Sequence, residues 1–135
     1  MKIDYEYLRG LLLAFQNCKK PYTNIDELEE NGFLYKEDSF LFHMEILYDY
    51  NFIVSRSSRS GFGYSDEDNL GPSWQQIDLR LTGLGHEFIS SLNDPDVWSE
   101  ICKNFKKSGI DTVKSVAIEL AKSFAKKKIT ALLSE

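Results

Sequence analysis

SFLFHMEILYDYNFI, residues 39–53, decides how this chain is read. Phe40, Met44 and Leu47 recur at three- and four-residue spacing, so they share one face of a helix. Asn51 follows the last periodic turn, where a residue tolerant of positive φ is expected. Phe52, Ile53 and Val54 then have the aromatic and β-branched character of a strand start. The pattern predicts a helix that stops and passes straight into a strand. In this register the outward residues are Asp38, Ser39, Leu41, Phe42, His43, Glu45 and Ile46.

Upstream, Asp4 is placed to cap a first helix, with Glu6 in its first turn. Tyr5, Leu8, Leu12 and Phe15 form its apolar stripe, widened by Leu11. Lys19 and Lys20 suit the C-terminal end, and Pro21 blocks continuation. Thr23 to Leu34 has two readings. Asn24 can cap a short helix closed by Gly32, or Ile25 to Leu28 can be a short strand. In both, Leu28 and Phe33 are core anchors.

Downstream, Ser55 to Ser73 is rich in Gly, Ser and Asp and reads as a long loop. Arg56 and Arg59 make its first half basic; Asp66, Glu67 and Asp68 make its second half acidic, with Phe62 and Tyr64 between. Trp74 to Leu81 alternates, with Ile77, Leu79 and Leu81 on one side, as in a half-buried antiparallel strand. Paired with residues 52–57 it would form a hairpin. Thr82 is placed to cap a helix that buries Leu84, Phe88 and Leu92, and Gly85 lets that helix approach a neighbour. Asn93 or Asp94 caps another, with Pro95 at its first position and Trp98, Ile101 and Phe105 as its stripe. Gly109 closes it, and Asp111 is placed to cap a last helix. That helix has two apolar stripes. One holds Val113, Val116, Ala117, Leu120 and Phe124; the other holds Ile118, Ala121, Ala125, Ile129 and Leu132. A surface that wide needs burial on two sides or a partner subunit.

The order is helix, short element, helix, strand, strand, then three helices: an α+β, mainly helical fold. It matches a winged helix-turn-helix with a long wing loop and three C-terminal helices. A single domain is expected over 1–135, with a winged-helix core at 1–92 and a helical extension at 93–135.

Of the 135 residues, 42% are hydrophobic and 27% charged, which excludes a disordered chain. No apolar run approaches the ~20 residues of a membrane span. MKIDYEYLRG lacks the layout of a signal peptide, so the cytoplasm is expected. Cys18 and Cys102 stand alone and read as small apolar residues rather than a disulfide or metal pair. Residues 1–100 carry a net −10 and residues 101–135 a net +5. That polarity suits a tail lying against an acidic surface or partner, or two separately solvated faces.

Two segments carry a family resemblance. SFLFHMEILYDYNFI is similar to the third helix and following strand of many winged-helix regulators, with Asn51 where those have Gly. LTGLGHEF resembles the Leu-Thr-x-x-Gly segment that ends their wing. Together with MKIDYEYLR and Trp98, the chain resembles domain of unknown function 2513, a bacterial and phage family. Asp4 and Arg9, His43, and Leu81 to Phe88 fall on the positions that recur there. The resemblance implies a winged-helix scaffold and a setting in bacteria or their mobile elements. It supplies no catalytic residue.

The chemistry divides between two functions. A winged helix usually lays its third helix in the major groove, and affinity then rests on Lys and Arg meeting phosphates. Lys36, Arg56 and Arg59 are the candidate phosphate contacts, with His43 near the reading face. Lys126, Lys127 and Lys128 offer a further basic patch. Yet Asp38 and Glu45 would repel phosphate. Leu41, Phe42 and Ile46, bordered by Tyr48 and Tyr50, offer instead a protein-contact patch, unless later helices cover it. His43 and His86, if they meet, could form a relay or metal site with Glu87, Glu45 or Asp78. No H-E-x-x-H, paired C-x-x-C, nucleophile elbow or phosphate loop is present. The expectation is a non-enzymatic DNA-binding or regulatory protein without a cofactor. Double-stranded DNA is the first partner. The alternative is an interaction or dimerisation module, pairing through the C-terminal helix or binding another protein, with no membrane involved.

Overall fold

The computed structural model describes residues 1–57, 59–67 and 70–134. Asp68, counted above in the acidic half of the loop, lies outside them. Among the described residues the fold is α+β and mostly helical. Its elements are α1 (Tyr5–Gln16), α2 (Ile25–Glu30), α3 (Asp38–Asp49), β1 (Ile53–Ser55), β2 (Tyr64–Ser65), β3 (Ser73–Trp74), β4 (Leu79–Leu81), α4 (Gly83–Leu92), α5 (Pro95–Glu100) and α6 (Ile110–Leu133). A single π-type turn, Ile101–Phe105, follows α5 directly. The chain divides into two compact units, Met1–His86 and Glu87–Glu135, with the division inside α4.

In the first unit, α1 is capped by the Asp4 carboxylate, which accepts the Glu6 and Tyr7 amides at 3.0 and 3.1 Å. It buries Tyr5, Leu8, Leu11, Leu12 and Phe15. In the ambiguous stretch the helix forms, residues 25–28 are not a strand, and the sheet contact falls on residue 23 instead. Thr23 pairs with Leu79 through two backbone bonds of 2.8 Å, and Asn24 then caps α2. Residue 23 therefore adds a one-residue strand beside β4, while β1 pairs with β4 on its other side, antiparallel. Leu28 is fully buried, as expected, and Phe33 is half-buried.

α3 ends as the Asn51 reading requires. Asn51 has φ 60°, the Asn51 amide bonds the Tyr48 carbonyl, and the Phe52 amide bonds the Leu47 carbonyl. Those two bonds satisfy two of the last four carbonyls of the helix and turn the chain into β1. Thr82 joins the same corner. Its hydroxyl donates to the Asn51 carbonyl and accepts the Gly85 amide at 3.0 Å. A Cβ on Gly85 would strike the Phe52 carbonyl oxygen, so the close approach expected of this glycine is real.

The expected strand over residues 74–81 is interrupted. Only residues 79–81 pair with β1, and the Arg56 amide adds one bond to the Asp78 carbonyl. Residues 75–78 leave the ladder, and Ser73–Trp74 pair with Tyr64–Ser65 in a second small hairpin. The long loop is thus partly folded. Aromatic packing gives the reason: Trp74 sits among Phe40, Phe62 and Tyr64, with ring centroids 5.3, 5.9 and 5.1 Å away. Those contacts cannot form on a straight extension of β4.

In the second unit, Asp94 caps α5 with Pro95 at its first position. Buried here are Phe88, Ile89, Leu92, Val97, Ile101, Ile110, Val113 and Ala117. α6 begins one residue before the expected cap. Its N-cap is Gly109, and Asp111 lies in its first turn. Burial along α6 is confined to its N-terminal half. Ile129, Leu132 and Leu133 are 55, 60 and 80% exposed.

Candidate interaction surface

The site is built on α3. Phe40, His43, Met44 and Leu47 are its buried residues. His43 is thereby corrected from the outward face to the inward one, at 2% exposure. The reason was visible in the spacing: residue 43 stands three after Phe40 and four before Leu47, on the core arc. Its polarity is satisfied inside. Nδ1–H donates to the Ser39 carbonyl at 2.7 Å, and Nε2 accepts the Asp4 amide at 3.0 Å. An amide can only donate, so these partners fix the neutral tautomer. Tyr7 lies against the ring at 4.6 Å. Burial lowers the pKa of His43, outweighing the Ser39 carbonyl and the Asp4 carboxylate, which both favour the charged ring.

What α3 leaves outside is a ridge of Asp38, Phe42, Glu45 and Asp49, at four-, three- and four-residue steps. The three carboxylate residues are exposed and Phe42 is half-buried. Leu41 and Ile46 flank the ridge, also half-buried. The chain contains no Lys or Arg between residues 37 and 55. The small hairpin lies beside this ridge. Tyr48 of α3 accepts the Gly61 amide at its hydroxyl at 2.8 Å and packs on Phe62 at 5.5 Å. Asp66, Glu45 and Asp38 all add to the burial that raises the pKa of the Tyr64 phenol. The ridge is therefore a field of negative charge with an aromatic step in it.

The basic candidates lie elsewhere. Arg56 and Arg59 line one open depression together with Ser57, Gln76, Ile77 and Asp78. Arg56 is partly committed already: its guanidinium lies 4.1 Å from the Tyr22 ring centre and 3.9 Å from the Asp78 carboxylate. Lys36 is exposed just ahead of α3 and is not among the residues lining that depression. The structure thus brings two of the four nucleic-acid candidates together, leaves Lys36 apart and removes His43 to the core.

The two histidines differ in setting, since His86 is exposed. Among the described residues, no three His, Cys, Asp or Glu side chains are grouped to hold a metal ion. Cys18 and Cys102 are free and half-buried. Burial, then Glu27, pushes the Cys18 thiol pKa up, and its Sγ reaches the Phe15 carbonyl at 3.0 Å. It is a protonated, hydrogen-bonded thiol rather than a nucleophile. No described helix is long and apolar enough to cross a membrane.

An α+β chain with a capped helix corner, a His-anchored central helix and a folded loop is the class defined so far. The chain matches the family described as "Hypothetical protein (DUF2513)" over residues 2–111, and it belongs to that family. No curated protein and no solved structure matches it. Asp4 and His43 join α1 to α3, and Thr82 with Gly85 forms the corner between β4 and α4.

Proposed function

We propose that this protein is a winged-helix regulatory module, of bacterial or phage origin, that works through protein contact rather than by reading bases with α3. The antiparallel pair of β1 and β4, the bridge at Thr23 beside β4, and a helix running directly into β1 support the winged-helix part of this reading. The observation that carries the reading is the exposed ridge of α3. Three carboxylates on one helical face repel phosphate, and no Lys or Arg on the helix offsets them. Half-exposed Leu41, Phe42 and Ile46 beside Tyr48 form the apolar centre that a protein contact needs. The module is non-enzymatic in this reading.

A second reading rests on Arg56 and Arg59 sharing one depression: phosphate contacts from the wing alone, with α3 held away from the groove. A gel shift with mixed-sequence duplex DNA at about 50 mM salt decides between them, because phosphate-driven binding is strongest there. The protein-contact reading expects no shift at protein concentrations of about 10 μM. A salt-sensitive shift that Arg56→Ala with Arg59→Ala abolishes overturns it in favour of the wing.

A further inference from the structure

The C-terminal half of α6 is helical yet solvated. Its exposed apolar residues, Ile129, Leu132 and Leu133, are accompanied by exposed Lys122 and Lys126. Helical stretches shorter than about 12–15 residues are marginal in water unless an apolar face is covered. The charge on this half argues against parallel, in-register packing of α6 on α6 of another copy, since Lys would then face Lys. What it fits is an acidic helix with apolar steps.

The same chain carries one. On α6, Lys122, Lys126, Ile129 and Leu133 follow one another at steps of four, three and four. On α3, Asp38, Phe42, Glu45 and Asp49 follow the same steps. Each quartet forms a single ridge along its helix. Set antiparallel, Lys122 meets Asp49, Lys126 meets Glu45 and Ile129 meets Phe42, and Leu133 falls beside Asp38 at the end of the ridge. The two charged pairs are one helical turn apart on both helices, about 6 Å at 1.5 Å per residue. Lys122 makes an exposed contact with Glu119 at 4.0 Å, which holds it only weakly.

We infer that α6 of one copy of this chain docks antiparallel on the α3 ridge of a second copy, and the reverse, in a two-fold reciprocal dimer. The inference rests on the protein-contact reading of α3 and names the occupant. A reciprocal two-fold exchange leaves neither ridge nor tail unpaired, as a closed assembly requires.

The test uses the full chain and two charge-reversed variants. One is Glu45→Lys with Asp49→Lys; the other is Lys122→Glu with Lys126→Glu. All these positions are exposed, and circular dichroism confirms that the variants fold. Sedimentation of the wild type should give a dimer whose dissociation constant rises roughly tenfold between about 50 and 500 mM salt. Each variant alone should be monomeric, since its α3 and α6 then carry the same sign. An equimolar mixture of the two should regain the dimer, as a heterodimer with both ridges matched. A wild type that is monomeric at every concentration overturns the inference. So does a mixture that stays monomeric, or a monomer whose α6 binds vesicles of anionic phospholipid instead. These failures leave the protein-contact reading of α3 standing, because only duplex binding in the gel shift removes it.

Discussion

The amide of Asp4 donates to Nε2 of His43 across 39 positions of sequence, and the two residues hold the start of α1 against α3. Asp4 acts at both ends of the link. Its carboxylate caps α1 while its own N–H reaches the imidazole. Because Nδ1–H is engaged by the Ser39 carbonyl, the ring stays neutral only while Nε2 is free to accept. Protonating Nε2 turns an acceptor into a donor facing a donor.

Stability should therefore depend on pH through His43. Its folded pKa lies below the ordinary 6.5, so the unfolded chain takes up the proton first. The stabilisation is fully present above about pH 6.5 and is lost as the pH falls through the lowered folded value. The unfolding free energy from urea titrations between pH 7.5 and 5 should fall, by at most about 1.4 kcal/mol per pH unit from this group. His43→Gln, which keeps an acceptor but does not titrate, should flatten that slope. An unchanged slope in His43→Gln would assign the pH dependence to other groups.

Asn51 gives a prediction from the backbone. Its φ of 60° is one that glycine adopts freely and other side chains adopt at a cost. Asn51→Gly should leave the unfolding free energy within a few tenths of a kcal/mol, while Asn51→Val should lose about 1–2 kcal/mol, both read by urea titration. Equal losses in both would mean that the Asn side chain, and not its φ, closes α3.

These local features are the ones the sequence displays. The caps at Asp4, Asn24, Thr82 and Asp94 and the turn at Asn51 need only nearby residues, so their residue types announce them. The register of α3 was equally plain from Phe40, Met44 and Leu47. His43 was misplaced because its polarity outweighed its position; the partner that makes burial tolerable, Asp4, is remote in sequence. The small hairpin was hidden for the same reason. Phe62 and Trp74 gain their burial from Tyr48 and Phe40 on α3, and alternation along residues 74–81 carries no sign of that. The acidic ridge was half legible: Asp38 and Glu45 stood out, whereas Asp49 joins them only once the helix is seen to run to its full length.

The hairpin should come loose before the rest of the first unit does. Phe62 is 8% exposed, and its packing with Tyr48 and Trp74 fastens the loop to α3. Phe62→Ala should raise amide exchange at Tyr64, Ser65 and Trp74 while β1 and β4 stay protected. Tyr48→Phe keeps the ring and deletes the bond to the Gly61 amide, a loss of about 1 kcal/mol. Its effect on exchange should point the same way and be smaller. Exchange that rises equally in β1 and β4 would mean the hairpin belongs to the cooperative core.

The corner at Thr82 and Gly85 sets a harder limit. Thr82→Ala removes the cap on the Gly85 amide and the bond to the Asn51 carbonyl, for about 1–2 kcal/mol. Gly85→Ala adds a methyl where the Phe52 carbonyl oxygen already stands; the carbonyl belongs to the backbone and the methyl is fixed on Cα, so neither can rotate away. In an open helix the same change would stabilise by about 1 kcal/mol, so the sign of the effect is diagnostic. We expect a loss larger than that of Thr82→Ala, read as a fall in the urea midpoint at unchanged m-value. A gain in stability would show that α4 does not press on the turn after α3. The link from the central helix through Asn51 to β4 would then need redrawing.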